Sequence, residues 1–169
     1  MVVVFILMQI REIKTKEIDS FLDFFRKSVK TQFNEYSKKS KDFFLKKEWT
    51  KDRIKNSIKE KIIIYLLAFD KDKIIGYLIG GYPFGGVAAV MWLAVDDDYQ
   101  ERGIGRKLVN SFIAISKEKG AHKVKLDVTN EKNLGFYKKL GFTVQCFSKK
   151  DYFGLDSYWM CKDIQKPNW

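Results

Sequence analysis

Apolar positions along the chain change their period several times, and each change marks an element. Met8-Gln9-Ile10-Arg11-Glu12-Ile13 alternates and predicts a first strand. From Thr15 to Lys30 the residues Ile18, Phe21, Leu22, Phe25 and Val29 recur at helical spacing, so a helix follows. Gln32 to Lys47 carries no period; it is polar and basic, with Phe33, Tyr36, Phe43 and Phe44 interspersed, and is expected to be irregular. Thr50 suits the cap of a second helix, Lys51 to Lys59, with Ile54 and Ile58 inward.

Two β-rich runs, Ile62 to Phe69 and Ile74 to Tyr82, are joined by Asp70-Lys71-Asp72-Lys73. Pro83-Phe84-Gly85-Gly86 then turns the chain into Val87 to Val95, an uncharged run that suits a strand buried on both faces. After a polar loop, Leu108, Val109, Phe112, Ile113 and Ile115 mark a helix from about Gly105 to Lys119, stopped by Gly120. Val124 to Val128 reads as a strand, Glu131 to Leu140 as a helix ending at Gly141, and Phe142 to Phe147 and Tyr158 to Asp163 as closing strands. The order is β-α-α-β-β-β-α-β-α-β-β in one domain over residues 1–169, an α/β fold in the α+β sense of a mixed sheet.

The glycines Gly103 and Gly105 fall where a buried strand hands over to a helix. The first N–H groups of a helix lack intrahelical partners and carry partial positive charge, so this junction can hold an anion. Arg102, Arg106 and Lys107 add full charges. A dinucleotide fingerprint is incomplete here, because Leu108 stands where its third glycine belongs, and no G-x-x-x-x-G-K-[ST] loop occurs.

The order Gln100-x-x-Gly103-x-Gly105, between Leu93-Ala94-Val95 and Lys107-Leu108-Val109, resembles the acyl-coenzyme-A pyrophosphate loop of the GNAT superfamily of N-acetyltransferases. Downstream, Asn133-Leu134-Gly135-Phe136-Tyr137-Lys138-Lys139-Leu140-Gly141-Phe142 resembles that superfamily's second hallmark, an Asn-led helix ending in F-Y-x-K-L-G-F. The resemblance covers Ile62 to Lys162. It implies a GNAT fold whose sheet splays between the strands ending at Val95 and Val128, with acetyl-coenzyme A as cosubstrate and no metal.

Site residues follow from the same resemblance. Gln100, Glu101, Arg102, Gly103, Ile104, Gly105 and Arg106 would cradle the pyrophosphate, and the amides of Leu93, Ala94 and Val95 would bind pantetheine and the oxyanion beside a strand bulge. Tyr137 matches the family's general acid, and Asp127 stands where many members carry the base, acting directly or through water. Asn130 and Asn133 both match positions from which members contact pantetheine, and the choice between them stays open. The chemistry needs such a base, because a primary amine with a pKa near 10 is neutral in only about one molecule per thousand at pH 7.

Composition bounds the partners. A chain that is 46% hydrophobic and 15% aromatic is globular rather than disordered. The net charge of +11 is weighted toward the first 61 residues, which hold 16 basic and 9 acidic side chains. Such a surface suits a phosphorylated cofactor, and a nucleic acid stacked on the interleaved aromatics is the less favoured partner. Val2 to Met8 is too short to span a bilayer, which sets the expectation of a cytoplasmic protein without a membrane partner; Met8 is an alternative start and residues 1–7 an extension.

Cys146 and Cys161 fall in strands and are expected to be small buried hydrophobes, with a disulfide the minor alternative. Neither occupies a motif position, which argues for direct attack by the amine. The resemblance implies a primary amine as acceptor, that of a protein or peptide N-terminus, a lysine or a polyamine. Lys150 to Met160 loosely resembles the closing segment of peptide and ribosomal-protein N-terminal acetyltransferases. Polyamines stay open, with Asp151, Asp156 and Asp96-Asp97-Asp98 as cation attractors, the triplet being expected to lie in a solvated loop. A homodimer, a non-catalytic acyl-coenzyme-A sensor and a nucleic-acid-binding module remain alternatives.

Overall fold

The computed structural model describes residues 8–167; the apolar start of the chain, with the expected extension, lies outside the described residues. Seven strands form one sheet in the order β1-β2-β3-β4-β5-β7-β6. They are β1 (Met8–Glu12), β2 (Ile63–Asp70), β3 (Lys73–Phe84), β4 (Val87–Val95), β5 (Lys123–Val128), β6 (Thr143–Ser148) and β7 (Ser157–Asp163). Every neighbouring pair is antiparallel except β4 and β5, which are parallel.

Five helices cover the faces: α1 (Ile18–Thr31), α2 (Lys38–Phe43), α3 (Lys51–Lys59), α4 (Ile104–Glu118) and α5 (Leu134–Lys139). α2 is an addition to the expected order. Ser37 caps it by accepting from the Ser40 N–H at 3.1 Å, and the chain continues through a single wide π-turn, Phe44–Glu48. Of the segment expected to be irregular, the part from Lys38 on is therefore helical, held by the cap and by Phe44, which is buried against the sheet, while residues 32–37 are turns.

Two cores result. On one face Phe21, Phe25 and Leu22 of α1 and Ile54 of α3 meet Tyr65, Leu67, Tyr77 and Ile79. On the other, Leu108, Val109 and Phe112 of α4 meet Ile64, Leu66, Ala88, Val124 and Leu126. Gly80 lets Phe112 lie against the strand, since a Cβ there would sit 2.3 Å from the ring.

Two expectations are corrected. Cys146 lies exposed on the edge strand β6, Cys161 is half-buried, and both are free thiols, so neither is the enclosed hydrophobe expected. Asp96 is 4% exposed, not solvated; it sits 3.5 Å from Lys27 and 3.7 Å from Lys73 and caps the Asp98 N–H at 3.2 Å. Asp96 thus anchors the loop that follows β4, while Asp97 and Asp98 are exposed, as expected of the triplet.

Candidate active site

β4 and β5 pair only over Val87↔Lys123, Ala88↔Val124 and Ala89↔Lys125. From Val90 onward the two strands part, and the sheet opens where the resemblance implied. A bulge starts the divergence: Ile79 faces Trp92 while Gly80 faces Val90, which leaves Met91 as an extra residue on β4.

Beyond the bulge the ladder fixes which amides face the opening. The Asp96 N–H donates to the Ile75 carbonyl at 2.9 Å, and antiparallel partners alternate, so Ala94 and Trp92 turn their backbone groups to β3. Leu93 and Val95 turn theirs to the opening. Consistent with that, the Val95 carbonyl accepts from the side chains of Gln32 at 2.9 Å and Gln100 at 3.2 Å. Of the three residues expected to offer amides, Leu93 and Val95 have them directed outward, and Ala94 does not.

The loop after β4 ends at the N-terminus of α4. Gly103 stands there with φ of +78°, a left-handed conformation in which its missing Cβ matters, and Glu101 also takes a positive φ of +60°. The N–H groups of Ile104, Gly105 and Arg106 begin the helix with no side-chain cap. Gln100 folds back onto Asp97 at 3.0 Å, and Arg102 donates to the Asp98 carbonyl at 2.7 Å and lies over the Tyr99 ring. Their side chains hold the loop, so the cradle is left open. Gly105 also stands beside α5: a Cβ there would be in ordinary contact with the Phe136 ring at 3.4 Å.

Tyr137 on α5 packs in the α4-side core, its ring edge-on to Phe136 at 4.9 Å and to Phe142 at 5.9 Å. Burial pushes its hydroxyl pKa up, and the charge of Asp127 adds to the rise. β5 alternates with Val124, Leu126 and Val128 in that same core, which places Asp127 and Lys125 on the opposite face, at a cavity. Desolvation raises the Asp127 pKa as well, with a smaller contribution from Asp151. Asn130 is engaged, its side chain accepting from the Lys132 N–H at 3.1 Å, whereas Asn133 at the start of α5 is exposed and does not cap the helix.

The cavity holds about 430 Å³ and opens between β4 and the α2 segment. Aromatic rings make its walls. Trp92 meets Phe33 at 4.8 Å, Phe44 at 5.0 Å and Tyr36 at 5.9 Å, and Phe44 meets Phe153 at 4.7 Å. Phe153 reaches over from the turn between β6 and β7, 49% exposed and with φ of +58°, a backbone state that bulky side chains rarely adopt. Burial lifts the Tyr36 pKa to about 12, and the preceding Glu35 accepts from the Thr129 hydroxyl at 3.2 Å, so the loop after α1 crosses to the end of β5.

Trp92 and Phe153 were not singled out by the sequence. Trp92 lies inside an apolar run that reads as core, and Phe153 sits in a segment without a period; the aromatics at 33–44 are the one signal the sequence offers for this wall.

Known proteins place this geometry. An uncharacterized N-acetyltransferase of Methanocaldococcus jannaschii is 29% identical over 150 residues, which cover 79% of this chain but only 59% of that relative's length. The spermidine N(1)-acetyltransferase of Thermoplasma acidophilum is 25% identical over 157 residues, 89% of this chain and 97% of that one. The solved PaiA N-acetyltransferase of Thermoplasma acidophilum, in complex with coenzyme A, shares the fold with a TM-score of 0.78 at 24% identity, over 92% of this chain and 98% of that one. The model of the acetyltransferase (GNAT) family matches residues 21–142, and to that family the chain belongs.

Proposed function

We propose that the protein is an acetyl-coenzyme-A-dependent N-acetyltransferase acting on a primary amine by direct attack. The observation that carries this reading is the opening between β4 and β5, which has outward backbone groups on its β4 edge and Asp127 on β5 at the adjoining cavity. Acetyl-coenzyme A supplies an activated acetyl thioester there.

The chain's residues fit that ligand. The uncapped amides of Ile104, Gly105 and Arg106, with the exposed Arg106 and Lys107 side chains, suit a pyrophosphate. Leu93 and Val95 offer backbone groups to an extended pantetheine as a missing strand would. Asn133, whose side chain is unengaged, is the better placed of the two asparagines to join them.

Asp127 takes the proton of the attacking amine, directly or through water, as nitrogen bonds to the acetyl carbon. The outward N–H on the β4 edge stabilises the carbonyl oxygen as it gains charge. The carbon–sulfur bond then breaks, and Tyr137 presents its phenol to the departing sulfur. A thiol is a stronger acid than a phenol, so Tyr137 contributes first through a hydrogen bond to the thiolate.

The test is free-thiol release from acetyl-coenzyme A with peptides, lysine and polyamines as acceptors, alongside a thermal shift with the cofactor alone. Ligand at about a hundred times its dissociation constant stabilises by about 2.7 kcal/mol. Stabilisation without thiol release from any amine would instead mark a sensor that binds and does not turn over.

A further inference from the structure

The cavity on the α1–α3 side differs in chemistry from its rim. Its walls near Asp127 are rings, chiefly Trp92, Phe44, Phe43 and Phe153, so the group next to the reacting amine meets apolar surface. The segment that borders it is basic. Residues 38–48, α2 and the π-turn, carry five Lys against two Asp or Glu, a net +3.

Several of those charges are unspent. Lys46 pairs with Asp42, Lys51 with Asp19 and Arg53 with Glu48. Lys39 and Lys47 are exposed and have no ion-pair partner among the described residues. They stand about one turn before and one turn after Phe43, which lines the cavity, so both flank its mouth.

Three of the carboxylates that could have attracted a polycation are already engaged. Asp151 accepts from Ser157 and from the Trp159 indole, each at 2.7 Å; Asp156 accepts from the Lys150 N–H at 3.0 Å; Asp96 sits between Lys27 and Lys73. A spermidine-like acceptor would meet a rim of its own sign.

We propose that the acceptor is the α-amine of a polypeptide that begins with a large apolar residue and carries acidic residues a few positions on. The first side chain fills the ring-lined cavity, the amine reaches Asp127, and the acidic stretch runs out past Lys39 and Lys47. An α-amine also suits the chemistry, since its pKa near 8 leaves about a tenth of it neutral at pH 7. This assignment rests on the transferase reading above.

The experiment uses seven-residue peptides starting with Leu or Ser and ending in Asp/Glu, Ser or Lys tails. Thiol release gives kcat/KM, and fluorescence anisotropy of labelled peptides gives binding independently of turnover. The Leu-first, acidic-tailed peptide is expected to exceed the Lys-tailed one by about tenfold in kcat/KM, and the advantage should shrink as salt rises. In Lys39→Glu/Lys47→Glu that tail preference should vanish while acetylation of leucine amide is unchanged.

Equal rates across the tails overturn the proposal, as does a preference for spermidine. So does Lys39- and Lys47-dependent binding of a single-stranded oligonucleotide with no tail preference among peptides. Tail-dependent binding with no thiol release would keep this surface assignment and sink the transferase reading, so the two failures differ.

Discussion

Asp127 and Tyr137 lie on opposite faces of the sheet, Asp127 at the cavity and Tyr137 against the α4-side core, and the Asp127 charge helps raise the Tyr137 pKa. A phenol held above its usual pKa stays protonated at neutral pH and keeps a proton to offer. Removing the hydroxyl while keeping the ring packed against Phe136 and Phe142 isolates that offer. Tyr137→Phe is expected to lower kcat by about a hundredfold or more and to leave acetyl-coenzyme-A affinity within about twofold. Stopped-flow thiol release and calorimetric titration check the two halves; unchanged turnover would remove the acid role.

The raised pKa of Asp127 gives a pH dependence with a definite sign. A carboxyl is a base only when ionised, so activity is lost as pH falls through its pKa, and that loss comes at higher pH than for a carboxyl at 3.8. With kcat/KM expressed per neutral amine, the wild-type profile should show this acidic limb. Asp127→Asn should be slower and lack the limb. A limb that persists in the variant would assign it to another group.

Gly103 takes φ of +78° with open space around its Cβ position, so conformation alone opposes a side chain there. Gly103→Ala is expected to cost about 1–2 kcal/mol in denaturant unfolding and to weaken cofactor binding, because the following amides change direction. Binding as tight as wild type would show that the α4 N-terminus does not carry the phosphate contact.

Away from the site, Arg11 grips Glu17 through two bonds of 2.9 and 2.6 Å and holds the Glu17 pKa down at about 2. A depressed carboxyl stabilises the fold above its unfolded value of 4.5, and that stability is lost as pH falls from there toward about 2. Glu17→Gln should cost about 0.5–1 kcal/mol at pH 7, since both groups are partly solvated, and should flatten the acid side of the stability curve. Urea unfolding between pH 2 and 7 reads this directly.

Much of the architecture was legible because its signals are local. The alternation of Val124, Leu126 and Val128 is the pattern that turns Asp127 away from the α4 core, and the uncharged run Val87 to Val95 announced the strand that borders the opening. The bulge at Met91 left no mark, because every residue around it is apolar whichever way it points. α2 was hidden for a related reason: Lys38-Lys39-Ser40-Lys41-Asp42 offers no apolar period, and the helix is fixed by the Ser37 cap and by rings that pack only in the folded chain.

The aromatic cavity could not be read at all from local pattern. Tyr36, Trp92 and Phe153 are separated by more than a hundred residues from first to last, and only the crossing of the α1 loop over the open sheet brings them together.

The central claim is that thioester and amine meet across the opening without a covalent enzyme intermediate. Initial rates of thiol release, with acetyl-coenzyme A varied at several fixed concentrations of acceptor, test it most directly. Intersecting double-reciprocal lines are expected, since both ligands must be bound at once. Parallel lines, the signature of an acetylated enzyme, would contradict the account.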